Sequence, residues 1–307
     1  MKFILKLLKP KNLLTIISNP KLIIVHLTYA FKRLFYDIVF FFIRNKYKHK
    51  IIFIAGMPMS ATTKIKNMCG MINGYFTRYT PMPEKIMYSQ NITESAFRYC
   101  PSWSYSLFKT HLNPYEENIN IIKKNNVKKV VVSYRDLRDV VVARYHRLLK
   151  FPKKIGEPGY LEEDKQYKNI KKTDAINDCI EVVSRDFVKW INGWFNISSK
   201  EKNFVLFCKF EDLILNPKNE FQRILNFYEI KLSDDKIDYI VEFTRGKKNM
   251  EKNFNEAKIL PWALSSNFRS GKIGGWKTEF DQSNIKKFKS LAGDSLIQLK
   301  YETDTNW

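Results

Sequence analysis

Apolar residues fall along this chain in short continuous runs, separated by stretches in which they recur every three or four positions. The runs Ile51 to Ala55 (IIFIA), Lys128 to Tyr134 (KKVVVSY) and Phe204 to Phe210 (FVLFCKF) are brief and rich in β-branched and aromatic residues. They predict strands buried on both faces. Ser106 to His111 predicts another, ending in polar residues. Helical spacing follows the first run at Ile65, Met68, Cys69 and Ile72, and follows KKVVVSY at Val140, Val141, Tyr145, Leu148 and Leu149. A long helix is predicted through Ile176, Ile180, Val183, Phe187, Trp190 and Trp194, capped by Thr173 or Asp174. Its tryptophans read as core. Asn216-Pro217 opens a helix to Tyr228, and Ser233 caps one to about Thr244. Strands alternating with helices predict an α/β fold, a central parallel sheet flanked by helices.

Three stretches lack a period. Residues 71–105, with Pro81-Met82-Pro83, read as loops and short helices beside a site; residues 151–172 read as a mobile loop or lid, and 246–268 as a loop. Residues 1–50 differ from the rest and form a predicted N-terminal helical appendage to a main domain over 51–307. Met1 to Lys9 alternates basic and apolar groups, and the apolar run over 22–43 is broken by His26, Lys32, Arg33 and Asp37. No uncharged span of membrane-crossing length results, and no signal-peptide cleavage site is evident. Two readings stand: helices packed on the domain, or a basic amphipathic segment (residues 1–48) lying on an anionic membrane.

Composition narrows this only a little. Of the 307 residues, 53 are Lys or Arg and 31 Asp or Glu, a formal charge of +22 that predicts attraction to anions. Charge alone does not choose among a phosphorylated cofactor, an acidic substrate, a membrane and nucleic acid. Cys69, Cys100, Cys179 and Cys208 lie far apart with no metal-binding spacing. They read as reduced thiols of a cytoplasmic protein, and no metal is expected.

The candidate chemistry sits where strands end. After Ile51–Ala55 the chain turns through Gly-Met-Pro-Met-Ser-Ala into a helix opened by Thr62-Thr63, a junction that offers N–H groups and a positive dipole end to a phosphate. It is not a Walker A loop, because Ala61 and Thr62 stand where Gly and Lys are required. Lys109 and His111 end a second strand, Arg135 a third, and Arg269 to Lys272 form a fourth basic cluster. Several anion sites suit a ligand with phosphates at two positions.

In this arrangement the chain resembles the sulfotransferase family, which uses 3′-phosphoadenosine 5′-phosphosulfate (PAPS), and especially its cytosolic-type branch. The resemblance covers about residues 51–280. Pro58-Met59-Ser60-Ala61-Thr62-Thr63 resembles the P-[KR]-S-G-T-T loop for the 5′-phosphosulfate, and Lys109-Thr110-His111-Leu112 matches K-T-H-L. Tyr134 to Val140 is similar to Y-R-N-P-[KR]-D-V, and Phe210-Glu211-Asp212-Leu213 to Y-E-D-L. Arg269-Ser270-Gly271 with Gly274-Gly275-Trp276-Lys277 resembles R-K-G-x-x-G-D-W-K.

The resemblance implies a P-loop-like sulfotransferase fold and in-line sulfuryl transfer from PAPS to a hydroxyl or amine. His111 becomes the general base and Lys109 the group stabilising charge on the sulfuryl. Arg135 and Arg269, beside Ser270 and Gly271, would hold the 3′-phosphate, with Phe210 near the adenine. The acceptor is a small molecule, a glycan or a lipid-linked molecule, and no nucleic-acid partner is expected. Departures stand at Met59 for a basic residue, Ala61 for Gly, Lys64 for an adenine-stacking Trp, Ala143 for a phosphate-binding Ser, and Ser270 for Lys. Lys64 or Lys66 could supply the cation missing at Met59. The alternative reading is a weakly active or inactive nucleotide-binding member acting at a membrane.

Overall fold

A computed structural model describes residues 46–77, 90–98, 100, 105–150, 167–245 and 271–307, together with residues 31, 34, 35, 38, 39 and 42. Five strands form one parallel sheet in the order β2-β3-β1-β4-β5. They are β1 (Ile51–Gly56), β2 (Tyr75–Thr77), β3 (Tyr105–Thr110), β4 (Val130–Tyr134) and β5 (Val205–Lys209). Helix α1 (Thr62–Cys69) follows β1, α2 (Glu116–Lys124) follows β3, and α3 (Leu137–Lys150) follows β4. Next come α4 (Lys172–Val182), a π-helical turn (Val183–Phe187) and α5 (Val188–Lys200), then α6 (Phe210–Leu215), α7 (Pro217–Phe227), α8 (Asp234–Phe243) and α9 (Gln282–Gln298).

The two-residue period of the strands divides the core into two layers. Phe53 and Ala55 of β1 join Phe108, Val130, Val132 and Trp194 on one face. Ile52 and Ile54 join Leu107, Val131, Phe221 and Tyr228 on the other. Every side chain of β1 and β4 is therefore buried, which is why both read as uninterrupted apolar runs.

The expected α/β architecture holds, with corrections. The stretch read as loops before residue 105 contains β2, paired with β3 from Tyr75 opposite Tyr105. The long helix starts at Lys172 with Lys171 as N-cap, and no side chain caps it. Thr173 instead donates through Oγ1 to Asp281 Oδ2 at 2.5 Å. Helices α2 and α9 were not anticipated; α9 opens on a capping box between Asp281 and Asn284. Of the stretch read as a lid, 151–166 lie outside the described residues, and its end forms a 3-10 turn (Tyr167–Asn169) and the start of α4; the whole of the 246–268 loop lies outside the described residues.

Residues just before β1 pack onto the sheet. Tyr47 is buried, its N–H donates to the Tyr105 hydroxyl, and His49 lies 3.2 Å from Glu229. Upstream, the described residues 31, 34, 35, 38, 39 and 42 are helical. Val39 packs against the second core layer, whereas Phe31, Leu34, Phe35, Ile38 and Phe42 are exposed.

Candidate active site

The strand order sets the site's position. From β3 the chain crosses over β1 to reach β4, so the carboxyl edge of β1 lies at the point where the winding reverses, the usual ligand crevice of an open parallel sheet. Parallel register puts Ala55 beside Thr110 and Gly56 beside Ser133. The first residues past β1, β3 and β4 are thereby neighbours.

The loop after β1 is shaped by hydroxyls and close packing. Ser60 Oγ contacts the Met57 carbonyl at 2.6 Å and the Ser133 Oγ at 2.8 Å, and Thr62 Oγ1 lies 3.3 Å from the same serine hydroxyl. Gly56 allows this approach: a Cβ there would sit 2.2 Å from Thr62 Oγ1 and 2.4 Å from Ser133 Oγ. Met59 and Ala61 both take left-handed backbone conformations, with φ of 71° and 59°. For a non-glycine residue this costs about 1–2 kcal/mol. Ala61 is the N-cap of α1, and no side chain caps that helix. The Lys64 and Ile65 N–H groups turn back to the Ala61 carbonyl, and those of Thr62 and Thr63 stand at the positive end of the helix dipole, suited to an anionic acceptor. Pro58 lies in the turn that leads into this loop.

At the end of β3, Lys109 and His111 point to the same side, as their two-residue spacing predicts: Lys109 Nζ is 3.0 Å from His111 Nε2. His111 Nδ1 lies 2.5 Å from the Gly56 carbonyl. A carbonyl only accepts, so Nδ1 carries the proton and Nε2 presents its lone pair, which receives the Lys109 ammonium. Burial, reinforced by the Lys109 and Arg147 charges, pushes His111 down to about 3. Burial, together with Lys66 and Arg147, lowers Lys109 to about 8. The segment after His111 is braced by the two tryptophans read as core. Trp190 and Trp194 are buried and donate their indole N–H groups to the Leu112 carbonyl at 2.9 and 3.3 Å.

Past β4, Arg135 is 7% exposed. It donates to the Lys272 carbonyl at 2.7 Å and to Asp139 at 3.3 Å, and its guanidinium lies 4.0 Å over the Phe210 ring. Its Nε is buried and has no acceptor among the described residues. Asp139 also accepts from the Gly274 and Trp276 N–H groups, at 2.9 and 3.0 Å, and so ties the glycine-rich segment to α3. Gly271, with φ of 65°, begins the described part of that segment, whereas Arg269 and Ser270 lie outside the described residues. Arg138 is held by Asp136 and Glu302 and lies over both the Trp276 and Trp307 rings, which is a structural role.

The departures resolve differently. Lys64 donates to the Leu213 carbonyl at 3.2 Å and has Arg245 as its charged neighbour, whereas Lys66 acts on Lys109. Ala143 is half-buried on α3, and the adjacent Arg144 acts electrostatically on Tyr167. The Gly56 carbonyl, Ser133 and Arg147 had no signal in the sequence beyond their proximity to motifs, and Asp139 stands in the Tyr134 to Val140 motif with no role read for it. Among the described residues, no cluster of His, Cys, Asp and Glu is arranged to hold a metal ion, and no helix is long and apolar enough to cross a membrane.

An uncapped helix N terminus beside a lysine–histidine pair, at the switch point of a parallel sheet, is suited to group transfer from a phosphate-bearing ligand, and defines a nucleotide-binding α/β transferase. A family model described as Sulfotransferase domain matches residues 49–300, and the chain belongs to that family. It is 28% identical to dog Sulfotransferase 1B1 over 265 residues, 80% of this chain and 84% of the relative. With human Sulfotransferase 1C2 it shares 27% identity over 173 residues, 55% of this chain and about half of the relative's length, 54%. The fold is also that of the mouse sulfotransferase SULT7A1 complexed with PAP, with a TM-score of 0.61, 19% identity, and coverage of 82% of this chain and 85% of that one.

Proposed function

We propose that this protein transfers a sulfuryl group from PAPS to a hydroxyl or amine of an acceptor that is a small molecule, a glycan or a lipid-linked molecule. The observation that carries this reading is the Gly56–His111–Lys109 array, beside a helix terminus that no side chain caps. When bound, PAPS supplies the sulfuryl group, whose bond to the 5′-phosphate oxygen breaks as its bond to the acceptor oxygen or nitrogen forms. The loop of Pro58, Met59, Ser60, Ala61, Thr62 and Thr63 binds the 5′-phosphosulfate end. Arg135, whose Nε has no acceptor among the described residues, holds the 3′-phosphate together with Arg269, Ser270 and Gly271. Phe210 and Lys64 flank the base, and Ala143 contributes only surface.

His111 Nε2 receives the acceptor proton while Nδ1–H stays on the Gly56 carbonyl. The acceptor hydroxyl takes the position that the Lys109 ammonium occupies against Nε2, and Lys109 turns to the transferring group. Bound anionic charge favours both protonated forms and so raises the basicity that burial has lowered. Calorimetric titration with 3′-phosphoadenosine 5′-phosphate (PAP) and ATP tests the nucleotide assignment, and tighter ATP binding would sink it. Labelled-sulfate transfer across phenols, glycans and glycolipids tests the chemistry. PAP binding with no acceptor sulfated would instead favour the nucleotide-binding, weakly active reading.

A cytoplasmic protein resting on an anionic membrane is the second part of the proposal. It is supported by Phe31, Leu34, Phe35, Ile38 and Phe42, which are 51–78% exposed and spaced as one helix face. The basic residues near them in sequence, Lys32, Arg33, Lys46 and Lys48, suit anionic headgroups. Co-sedimentation with phosphatidylserine vesicles, lost on Phe31, Phe35 and Phe42→Ser and absent with phosphatidylcholine, is expected. Equal sedimentation of the variant rejects this face as the anchor.

A further inference from the structure

We infer that Trp190 and Trp194 are positioning residues for the base. Their indole N–H groups hold the peptide that follows His111, so that Nδ1 keeps its proton on the Gly56 carbonyl and Nε2 keeps its lone pair for the acceptor. The inference rests on the reading of His111 as general base and adds what holds its tautomer and its place.

The two rings stand four residues apart on α5 and so project from one face of the helix, with centroids 6.1 Å apart and planes at 62°. A buried indole needs an acceptor for its N–H, but core packing does not require two rings to choose the same one. Here both choose the carbonyl of Leu112, the residue next to the base, at 2.9 and 3.3 Å. A carbonyl oxygen has two lone pairs. Two donors occupy both, fix the direction of the C=O bond, and with it the plane of the Leu112–Asn113 peptide.

The rest of the segment is fixed to match. The Leu112 N–H donates to the Thr110 hydroxyl at 3.4 Å, and that hydroxyl donates to the Ile54 carbonyl at 3.1 Å. β1 thus holds Thr110 through Ile54 and the His111 ring through Gly56. On the far side, the Asn113 N–H donates to the Gln90 carbonyl at 2.7 Å, and the Asn118 amide donates to the Asn113 carbonyl at 2.9 Å. α5 comes near enough for its indoles to reach because residue 193 is glycine: a Cβ there would sit 2.4 Å from Pro114 Cγ. Glycine is unfavourable in a helix interior, and this approach accounts for its place between the two tryptophans.

The clamp matters through the proton. At pH 7 His111 is neutral, so a single proton is placed on one of its two ring nitrogens. One hydrogen bond shifts such a balance by about two- to tenfold. The Gly56 contact selects Nδ1–H, and it holds only while the His111 backbone stays where the Leu112 peptide keeps it. Once that peptide turns, the ring leaves Gly56, the proton is shared with Nε2, and the protonated Nε2 no longer accepts. Displacement of a reacting atom by about 1 Å can by itself cost about a hundredfold in rate.

The test is the ring tautomer of His111, read from imidazole 15N spectra at pH 7 and assigned among the four histidines by comparison with His111→Ala. Trp190→Phe combined with Trp194→Phe keeps two aromatic rings and removes both donors. We expect the Nε2–H tautomer to rise at least threefold over the parent and kcat with PAPS and 4-nitrophenol to fall at least fivefold. PAP affinity by calorimetry should stay within twofold. Phe221→Leu, in the other core layer, controls for lost packing and should leave the tautomer unmoved. An unmoved tautomer or an unchanged kcat in the double variant overturns the inference. So does an equal tautomer shift in Phe221→Leu, or a loss of PAP affinity that matches the loss of kcat. If the double variant does not fold, each single variant decides by the same spectra: a rise in Nε2–H upholds the inference and no rise overturns it. If the parent does not turn over 4-nitrophenol, the spectra alone decide. Parental turnover in His111→Ala rejects the reading of His111 as base, and the inference falls with it.

Discussion

The Gly56 carbonyl accepts the Nδ1 proton of His111 at 2.5 Å, and that one contact decides which imidazole nitrogen is available as a base. With Nδ1 committed, the lone pair stands on Nε2, facing Lys109. The tautomer is a consequence of sheet register, because the end of β1 lies beside the end of β3.

His111→Ala is therefore expected to lower kcat for sulfate transfer by about two to four orders of magnitude. Calorimetry should find PAP affinity within a factor of two of the parent. Turnover close to the parent's in this variant would remove His111 as the base.

The alkaline side of the pH profile is expected to follow Lys109. Its pKa of about 8 means that the ammonium dominates at pH 7 and is lost as pH rises through 8. His111, held down at about 3, stays neutral across the same range. The kcat/KM profile should fall with rising pH around 8, and the kcat profile at a higher pH, because the bound anionic donor stabilises the ammonium. Lys109→Arg should move the kcat/KM limb upward by more than one pH unit. An unmoved limb assigns it to another group.

Arg135 offers a buried Nε with no acceptor among the described residues. Arg135→Ala should weaken PAP by about 1.5–3 kcal/mol, the range for hydrogen bonds to charged groups. It should barely affect adenosine 5′-monophosphate, which lacks the 3′-phosphate. Equal losses for the two nucleotides, measured by calorimetry, would place Arg135 elsewhere in the site.

The loop after β1 makes two opposite predictions. Gly56→Ala drives a methyl group into Thr62 and Ser133, so thermal unfolding should show a loss of about 1–3 kcal/mol, together with weaker PAP binding. Ala61→Gly relieves a left-handed alanine at the cost of a more flexible unfolded chain, for a net gain of about 0.5 kcal/mol. A destabilised Ala61→Gly protein would show that the loop bears no strain there.

Much of the fold was legible where burial imposes a simple pattern. β1 and β4 announced themselves because a parallel strand covered on both sides is apolar at nearly every position, and β5 carries a similar apolar run although, at the edge of the sheet, it is mostly half-buried. β2 escaped notice at three residues, too short to show any period. α9 was missed although Asp281 and Asn284 form a capping box at its start, since Asn replaces the usual Glu or Gln at its third position. The cap expected at Thr173 failed because its hydroxyl is drawn to Asp281, a residue 108 positions away.

The sequence by itself determined the fold class, the family and the order of the anion-binding segments, because these depend on local runs and on short motifs. It also determined that Lys109 and His111 share a side, since that follows from a two-residue spacing on a strand. Only the tertiary structure decided what those groups can do. The Gly56 carbonyl that sets the His111 tautomer, the Asp139 carboxylate that ties down the glycine-rich segment, and the Trp190 and Trp194 indoles that brace the Leu112 carbonyl come from separate elements. Their effects depend on distances across a sheet and on burial. Neither quantity is written in the spacing of residues along one strand or helix.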